Sequence, residues 1–422
     1  LTLYGLYALA LVIARIAESV SLFGLRSGLM HFLPVFLTEG QPAKASGSVA
    51  AALILPMSLG LTSLAVVWMG APWISQEILH EPDAVPYLRL FALPIPLMCM
   101  VEMLGVITRG FGRAELYVII RNLTPPACYM LLLLLLIFFE GDPLSVGRAF
   151  AAGQLIAAGV GLSIVMRVMR AQSAWVKPSF RFTELYRYSF PIMLNTLLYT
   201  LMAASDVLML ANLQGTSEAG IYRACIQFRP AFDMAVLAFN AAAIHLYPVY
   251  HREGRVAELA QSYGTVIRMT SVVTAVVFVL VFLSRRDILG LLGPEFPAGA
   301  TAMAFLLVGF LFQGCMGSSG VLLVVTGYQR YETIAAFIGV VINIGLNLAF
   351  IPMYGIVGAG MATATALLIV NLLRVYFVHV KLQLSALGTS VARSLLLGAI
   401  VATCVYFMAS ALGVEDGAGL LA

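Results

Sequence analysis

Charge is what this chain has least of. Lys, Arg, Asp and Glu make up 10% of its 422 residues, where a soluble domain carries about a quarter. With 61% hydrophobic residues and a mean hydropathy of +0.97, a water-soluble fold is excluded. Cysteine is scarce too. The five (Cys99, Cys128, Cys225, Cys315 and Cys404) lie singly in apolar stretches. With no C-x-x-C and no Cys/His cluster, neither a disulfide framework nor a metal site is expected, and they read as packing residues. No G-x-x-x-x-G-K-[ST] occurs, so the chain does not drive itself with ATP, and no cofactor is expected. The loops are too short for a folded domain or for the acidic outer loop of a membrane glycosyltransferase or glycan polymerase. The reading is therefore not an enzyme, and no catalytic residue is named. The alternation of a β-barrel strand is missing as well, since "YMLLLLLLIFF" is continuously apolar.

What the chain does have is apolar runs of bilayer-spanning length, one after another. They predict an all-α polytopic membrane protein with spans near 3–36, 45–72, 86–110, 115–139, 147–169, 188–212, 219–249, 262–284, 298–325, 332–352, 356–379 and 390–412. Charge placement gives the orientation. One face collects Lys44, Arg109, Arg113, Arg167, Arg170, Lys177, Arg181, Arg187, Arg252, Arg255, Arg330 and Lys381. The other has Arg285 and Arg286 among Glu77, Glu81, Asp83, Glu140, Asp142, Glu218, Asp287, Glu295, Glu415 and Asp416. By the positive-inside rule the first face is cytoplasmic. The basic loop "RVMRAQSAWVKPSFRFTELYR" between two spans reads as membrane surface, not as a nucleic-acid patch.

The chain also repeats itself. "YGLYALAL" at 4–11 matches "AGIYRACI" at 219–226, offset 215. "HFLPVFLTEG" at 31–40 matches "HLYPVYHREG" at 245–254, offset 214. "RGFGRAE" at 109–115 matches "TGYQRYE" at 326–332, offset 217. Three landmarks in order indicate a duplication. It divides the chain into a first repeat bundle at 1–172, a second at 182–382 and an accessory transmembrane helix at 388–413. Span 188–212 has no counterpart after Leu1, so the first repeat is expected to lack its first helix and the chain to be a fragment of a protein of fourteen spans. Six spans per repeat predict two bundles related by a pseudo-twofold axis along the membrane normal, facing across a V-shaped cleft, as alternating access requires.

Further residues carry a resemblance. "LLGPEFPAGATAMAFLLVGFLF", with Gly293-Pro-Glu-Phe296, is followed by Gly327, Asn343, Asn347, Ile351-Pro352, Tyr354-Gly355, Gly358-Ala-Gly360 and Ala362-Thr363. With "SDVLMLANLQGTSEAGIYRA" at 205–224, this order resembles the polysaccharide-unit flippases, the O-antigen and exopolysaccharide translocases of the multidrug/oligosaccharidyl-lipid/polysaccharide (MOP) superfamily. Gly360 stands where that family more often has Ala, a departure expected to have little effect. The resemblance implies transport of an undecaprenyl-pyrophosphate-linked oligosaccharide, as in lipopolysaccharide O-antigen synthesis, from the cytoplasmic to the outer leaflet of the bacterial inner membrane. Membrane lipids, a polysaccharide polymerase and glycosyltransferases are the implied partners.

Ionisable residues inside spans are costly and mark function or mutual pairing. Arg15 and Glu18 stand at i and i+3, Arg229 and Asp233 at i and i+4, and Glu18 maps onto Asp233 at offset 215. Either the arginines bind pyrophosphate, for which a planar donor fork is suited, or the pairs satisfy themselves. Arg26, Arg223 and Arg268 are further substrate-binding candidates unless they snorkel to headgroups. Asp206 is read as a coupling-ion site or the partner of an arginine. Asn195, Gln227 and Asn240 could bind sugars or glue helices. Glu102 and Arg121 read as structural partners, and His31 and His245 as helix-end packing. Prolines 56, 94, 96, 125, 126, 191 and 230 bend spans. A multidrug extruder of the same superfamily is the alternative function, for which a more acidic or apolar cleft is expected.

Overall fold

The computed structural model describes residues 2–79, 81–139, 144–172, 176–179, 182–244 and 246–384, and among these residues there is no strand. The first eight helices are α1 (Thr2–Ser21), α2 (Leu25–Thr38), α3 (Pro42–Trp73), α4 (Ala84–Ala92), α5 (Ile95–Gly110), α6 (Ala114–Tyr117), α7 (Thr124–Phe139) and α8 (Ser145–Ala171). A π-helical segment, Ile74–Ile78, extends α3, and another, Val118–Leu123, joins α6 to α7. There follow α9 (Phe182–Gln214), α10 (Thr216–Ile226), α11 (Arg229–Ala243), α12 (Leu246–Arg252), α13 (Val256–Leu283) and α14 (Arg285–Gly290). After a 3-10 turn at Phe296–Gly299 come α15 (Ala300–Met316), α16 (Ser318–Val325) and α17 (Gln329–Leu382).

Nine helical segments among the described residues are long and apolar enough to cross a bilayer. The pair Thr216–Ala241 and Leu246–Arg252, bent by 50°, supplies a tenth. The 54-residue α17, one of the nine, is a hairpin. Glu332 touches Arg374, and Asn343 reaches Thr363, pairs centred near residue 353. The reversal sits at Gly355, with φ 56° and ψ −133°, a region closed to residues with a Cβ. The expected spans 332–352 and 356–379 are its two limbs, and the one at 390–412 lies outside the described residues. Gly355→Ala is expected to destabilise the hairpin by about 1–3 kcal/mol, read as a lower melting temperature of the purified protein.

Lipid supplies little hydrophobic drive for helix association, so close contact through small residues does that work. In the first unit α3 packs on α1, α2 and α5, and α5 on α8. Leu29, Leu33, Ala52, Leu104, Ile107 and Val165 are buried there. In the second, α15 packs on α13 and on the α17 hairpin. A Cβ at Gly360 would lie 2.8 Å from the Ala302 carbonyl oxygen. The expectation that Ala would serve equally at 360 is therefore corrected: α15 and α17 are too close there. At Gly358 a Cβ would meet Phe350 O at 2.2 Å, across the hairpin bend.

The chain divides into two compact units, residues 2–204 and, among the described residues, 205–384. The division falls within α9, beyond the loop at 173–181 where the sequence suggests it. The first turns of α9 lie against α2 because two glycines admit them: a Cβ at Gly24 or Gly28 would be 2.2 or 2.3 Å from Ser189 atoms.

The duplication is written in the backbone. Four helices end in one hydrogen-bond pattern, with a left-handed glycine next to last: Gly40 and Gly254 (φ 66° and 69°), Gly112 and Gly327 (φ 78° and 90°). The residue after each glycine bonds five back: Gln41 to Phe36 O and Arg255 to Tyr250 O at 2.9 Å, Arg113 to Thr108 O at 3.0 Å, Tyr328 to Leu323 O at 2.7 Å. This is the Schellman termination, found at the same places in both repeats. Within each unit the basic turns share an end. Gln172 Nε2 donates to Phe111 O at 3.3 Å, joining α8 to the Arg109–Arg113 turn. In the second unit His251 stacks edge-on with Tyr328 at 5.9 Å.

Candidate functional site

The two intramembrane pairs form as spaced. Arg15 Nη1 is 2.8 Å from Glu18 Oε2, with the arginine side chain 40% exposed and the carboxylate 7%. Arg229 Nε is 3.3 Å from Asp233 Oδ2, at 29% and 46% exposure. Both arginines therefore keep donors beyond the one given to the carboxylate. Their helical settings differ. Arg15 stands inside α1, which breaks only at Leu22–Gly24; Arg229 opens α11 directly after a break at Gln227–Phe228. Pro230 accounts for that earlier break, since proline is well suited to a first helical turn and further in would cost a backbone hydrogen bond.

Arg26 joins residues the sequence treats as structural. Glu102, buried at 3%, is held by Arg121 Nε on one oxygen, while Arg26 Nε lies 3.4 Å from the other. Two guanidinium groups share one carboxylate, leaving a net positive centre beside Tyr117. The π-helical turn Val118–Leu123 rotates Arg121 onto Glu102, an irregularity often found at functional sites. Arg268 is exposed and bonds its own helix at Gly264 O (3.3 Å) and Thr265 Oγ1 (3.1 Å). Arg223 is half-buried. Asn240 donates to Ser318 Oγ at 2.9 Å, as helix glue does. His31 is exposed against Phe32. His245 and the Asn195 side chain lie outside the described residues.

Asp206 has the most built surroundings. It is 1% exposed and accepts from Asn347 Nδ2 at 2.6 Å, Tyr222 OH at 2.9 Å and Thr363 Oγ1. Ser205 Oγ donates to Asn343 Oδ1 at 2.8 Å, Asn343 Nδ2 to Thr363 Oγ1 at 3.3 Å, and Tyr222 OH lies 3.4 Å from Ala359 O. Asn347 Oδ1 is buried without a hydrogen-bond partner. The groups that bond Asp206 are an amide and two hydroxyls, none of them basic. The oxygens suit a proton or a hard cation, not a thiophilic metal, and no cluster of three His, Cys, Asp or Glu exists among the described residues. The motif residues Asn343, Asn347 and Thr363 were visible in the sequence. That they converge on Asp206 was not, because the contact spans 141 and 157 residues.

Sequence reasoning missed a second cluster. Arg374 and Glu332, each 5% exposed, bond twice, Nη2 to Oε1 at 2.6 Å and Nε to Oε2 at 2.9 Å. Arg374 Nη1 also donates to Asn371 Oδ1 (3.0 Å) and Gln313 Oε1 (3.2 Å). The signal was an arginine deep in an apolar run with no acid at i±3 or i±4.

Known proteins match this architecture. A multidrug resistance MATE family transporter of the MOP superfamily in an inward-facing conformation superposes with a TM-score of 0.78 at 13% identity, covering 90% of this chain and 94% of that one. The lipid II flippase MurJ in an inward closed conformation gives 0.68 at 13% identity, over 96% and 90%. At that identity the likeness is one of fold. An uncharacterized membrane protein of Methanocaldococcus jannaschii is 25% identical over 193 residues, 46% of this chain and 45% of that protein, so the match spans less than half of either. The MatE family model matches residues 191–350. The family model described as polysaccharide biosynthesis protein matches residues 1–252, more than half the chain, and this multi-pass, all-helical chain therefore belongs to that family.

Proposed function

We propose that this protein flips an undecaprenyl-pyrophosphate-linked oligosaccharide from the cytoplasmic to the outer leaflet of a bacterial inner membrane, by alternating access. The observation that carries the reading is the pair of half-exposed intramembrane arginines, Arg15 and Arg229, each steadied by a carboxylate one turn away. A pyrophosphate offers several oxygens to such forks, and charge-assisted hydrogen bonds are the stronger kind. Arg26, held with Arg121 on one carboxylate, adds a third anion-attracting centre. Arg223 and Arg268 are secondary contacts in this reading. Delivery by glycosyltransferases and onward use by a polymerase follow from the substrate. Expression in a flippase-deficient strain, scored for surface polysaccharide, tests the reading: restoration supports it, and failure despite normal membrane abundance opposes it.

The rival, a cation-coupled multidrug extruder, draws on the MatE match and on the oxygen cluster at Asp206. The two readings share a coupling ion, and we assign that role to Asp206. Coupling free energies of about 1–3 kcal/mol correspond to roughly 5–150-fold, so Asp206→Asn is expected to slow export by that factor. It should also abolish the dependence of export on the cation or proton gradient. Unchanged gradient dependence in initial-rate measurements would remove Asp206 from the coupling role.

A further inference from the structure

The segment after α8 is fastened to α3. Ser179 N–H donates to Ala43 O at 2.9 Å, and Ser46 Oγ donates to Val176 O at 2.9 Å. Gly47 makes room for the crossing, since a Cβ there would stand 2.0 Å from the Ser179 carbonyl oxygen. The strap borders an open pocket of about 480 Å³ against α3 and α8, lined by Val49, Ala50, Leu53 and Met169 together with the polar Ser46 and Lys177. That volume is in the range of small-ligand sites.

The chemistry of this cavity is two-sided. Its lining is apolar apart from Ser46 and Lys177, and holds no acid. Around it lies the basic end of the first unit: Lys44 over the Phe36 ring, Arg167 and Arg170 exposed on the last turns of α8, and the Arg109–Arg113 turn tied in through Gln172. A hydrocarbon chain matches the apolar lining and a phosphate matches Lys177. Basic pockets between transmembrane helices hold anionic lipid headgroups in this way.

We infer that this cavity is a binding site for an anionic phospholipid, with an acyl chain against Val49, Leu53 and Met169 and the phosphate at Lys177. The site goes beyond the transport reading, because none of its residues is assigned to the transported substrate. It also gives the strap between the two repeats a lipid-dependent anchor: the lipid, Lys177 and the two strap hydrogen bonds hold one place.

The test uses the purified full chain in phosphatidylcholine vesicles containing a photoreactive phosphatidylglycerol with its label on the acyl chain. Label is expected on peptides covering 46–53 and 165–178, displaced by unlabelled phosphatidylglycerol and not by phosphatidylcholine. Lys177→Gln, at an exposed position, should weaken labelling about fivefold, the worth of one basic residue at a membrane surface. Ala50→Trp should block it by filling the cavity, with an unchanged melting temperature showing that the fold holds. Equal displacement by phosphatidylcholine, or full labelling of both variants, would overturn the inference. Displacement by undecaprenyl phosphate alone would overturn it too, because the cavity would then belong to the transported lipid.

Discussion

Arg374→Ala is expected to destabilise the second unit by about 3–5 kcal/mol, the usual consequence of stranding one partner of a buried ion pair. Glu332 would be left at 5% exposure with its two guanidinium bonds gone, and Gln313 and Asn371 would each lose a donor. The pair spans 42 residues and joins the two limbs of the α17 hairpin, so its loss loosens the hairpin at the end opposite Gly355. The double substitution Glu332→Met with Arg374→Met removes both charges at similar volume and is expected to recover most of the loss. Thermal unfolding of the detergent-purified variants measures both effects. A single variant as stable as the parent would show that the network is not buried as described.

Arg15→Ala and Arg229→Ala are each expected to lower export roughly ten- to hundredfold at normal membrane abundance, since a hydrogen bond to a charged group contributes about 1.5–3 kcal/mol. Lysine at either position should restore only part, because it keeps the charge and loses the fork. The double variant Arg15→Ala with Glu18→Ala separates binding from mere pairing. If the arginine only neutralises Glu18, which is 7% exposed in its side chain, deleting both removes the stranded charge and restores export. If the arginine grips the substrate, the double variant stays inactive, and that is the expected result.

Much of the fold is legible in the sequence because membrane insertion leaves a coarse, long-range signal. Bilayer-length apolar runs fix the spans, and the paired landmarks ending at Gly40 and Gly254 fix the duplication that their backbone turns repeat. The Arg15–Glu18 and Arg229–Asp233 pairs are equally legible, since a helix brings i, i+3 and i+4 together wherever it lies. Contacts between helices are another matter. Asp206 meets Asn347 and Thr363, and Arg26 meets Glu102, through packing that no local period encodes. The π-helical turn that rotates Arg121 onto Glu102 shifts the helical register within one span, so spacing rules fail there. The need for glycine at 360 is hidden from the sequence for the same reason: it comes from Ala302 on another helix.

In the proposed function the arginines serve an anionic lipid-linked substrate. The direct measurement is transbilayer movement of a fluorescent undecaprenyl-pyrophosphate-linked oligosaccharide in vesicles holding the purified protein, with a lipophilic cationic dye as the comparison cargo. The protein is expected to speed movement of the pyrophosphate-linked lipid and not of the dye, and Arg229→Ala to cut that acceleration roughly ten- to hundredfold. Gradient-driven movement of the dye, with the lipid-linked oligosaccharide left in its original leaflet, would contradict the proposed function.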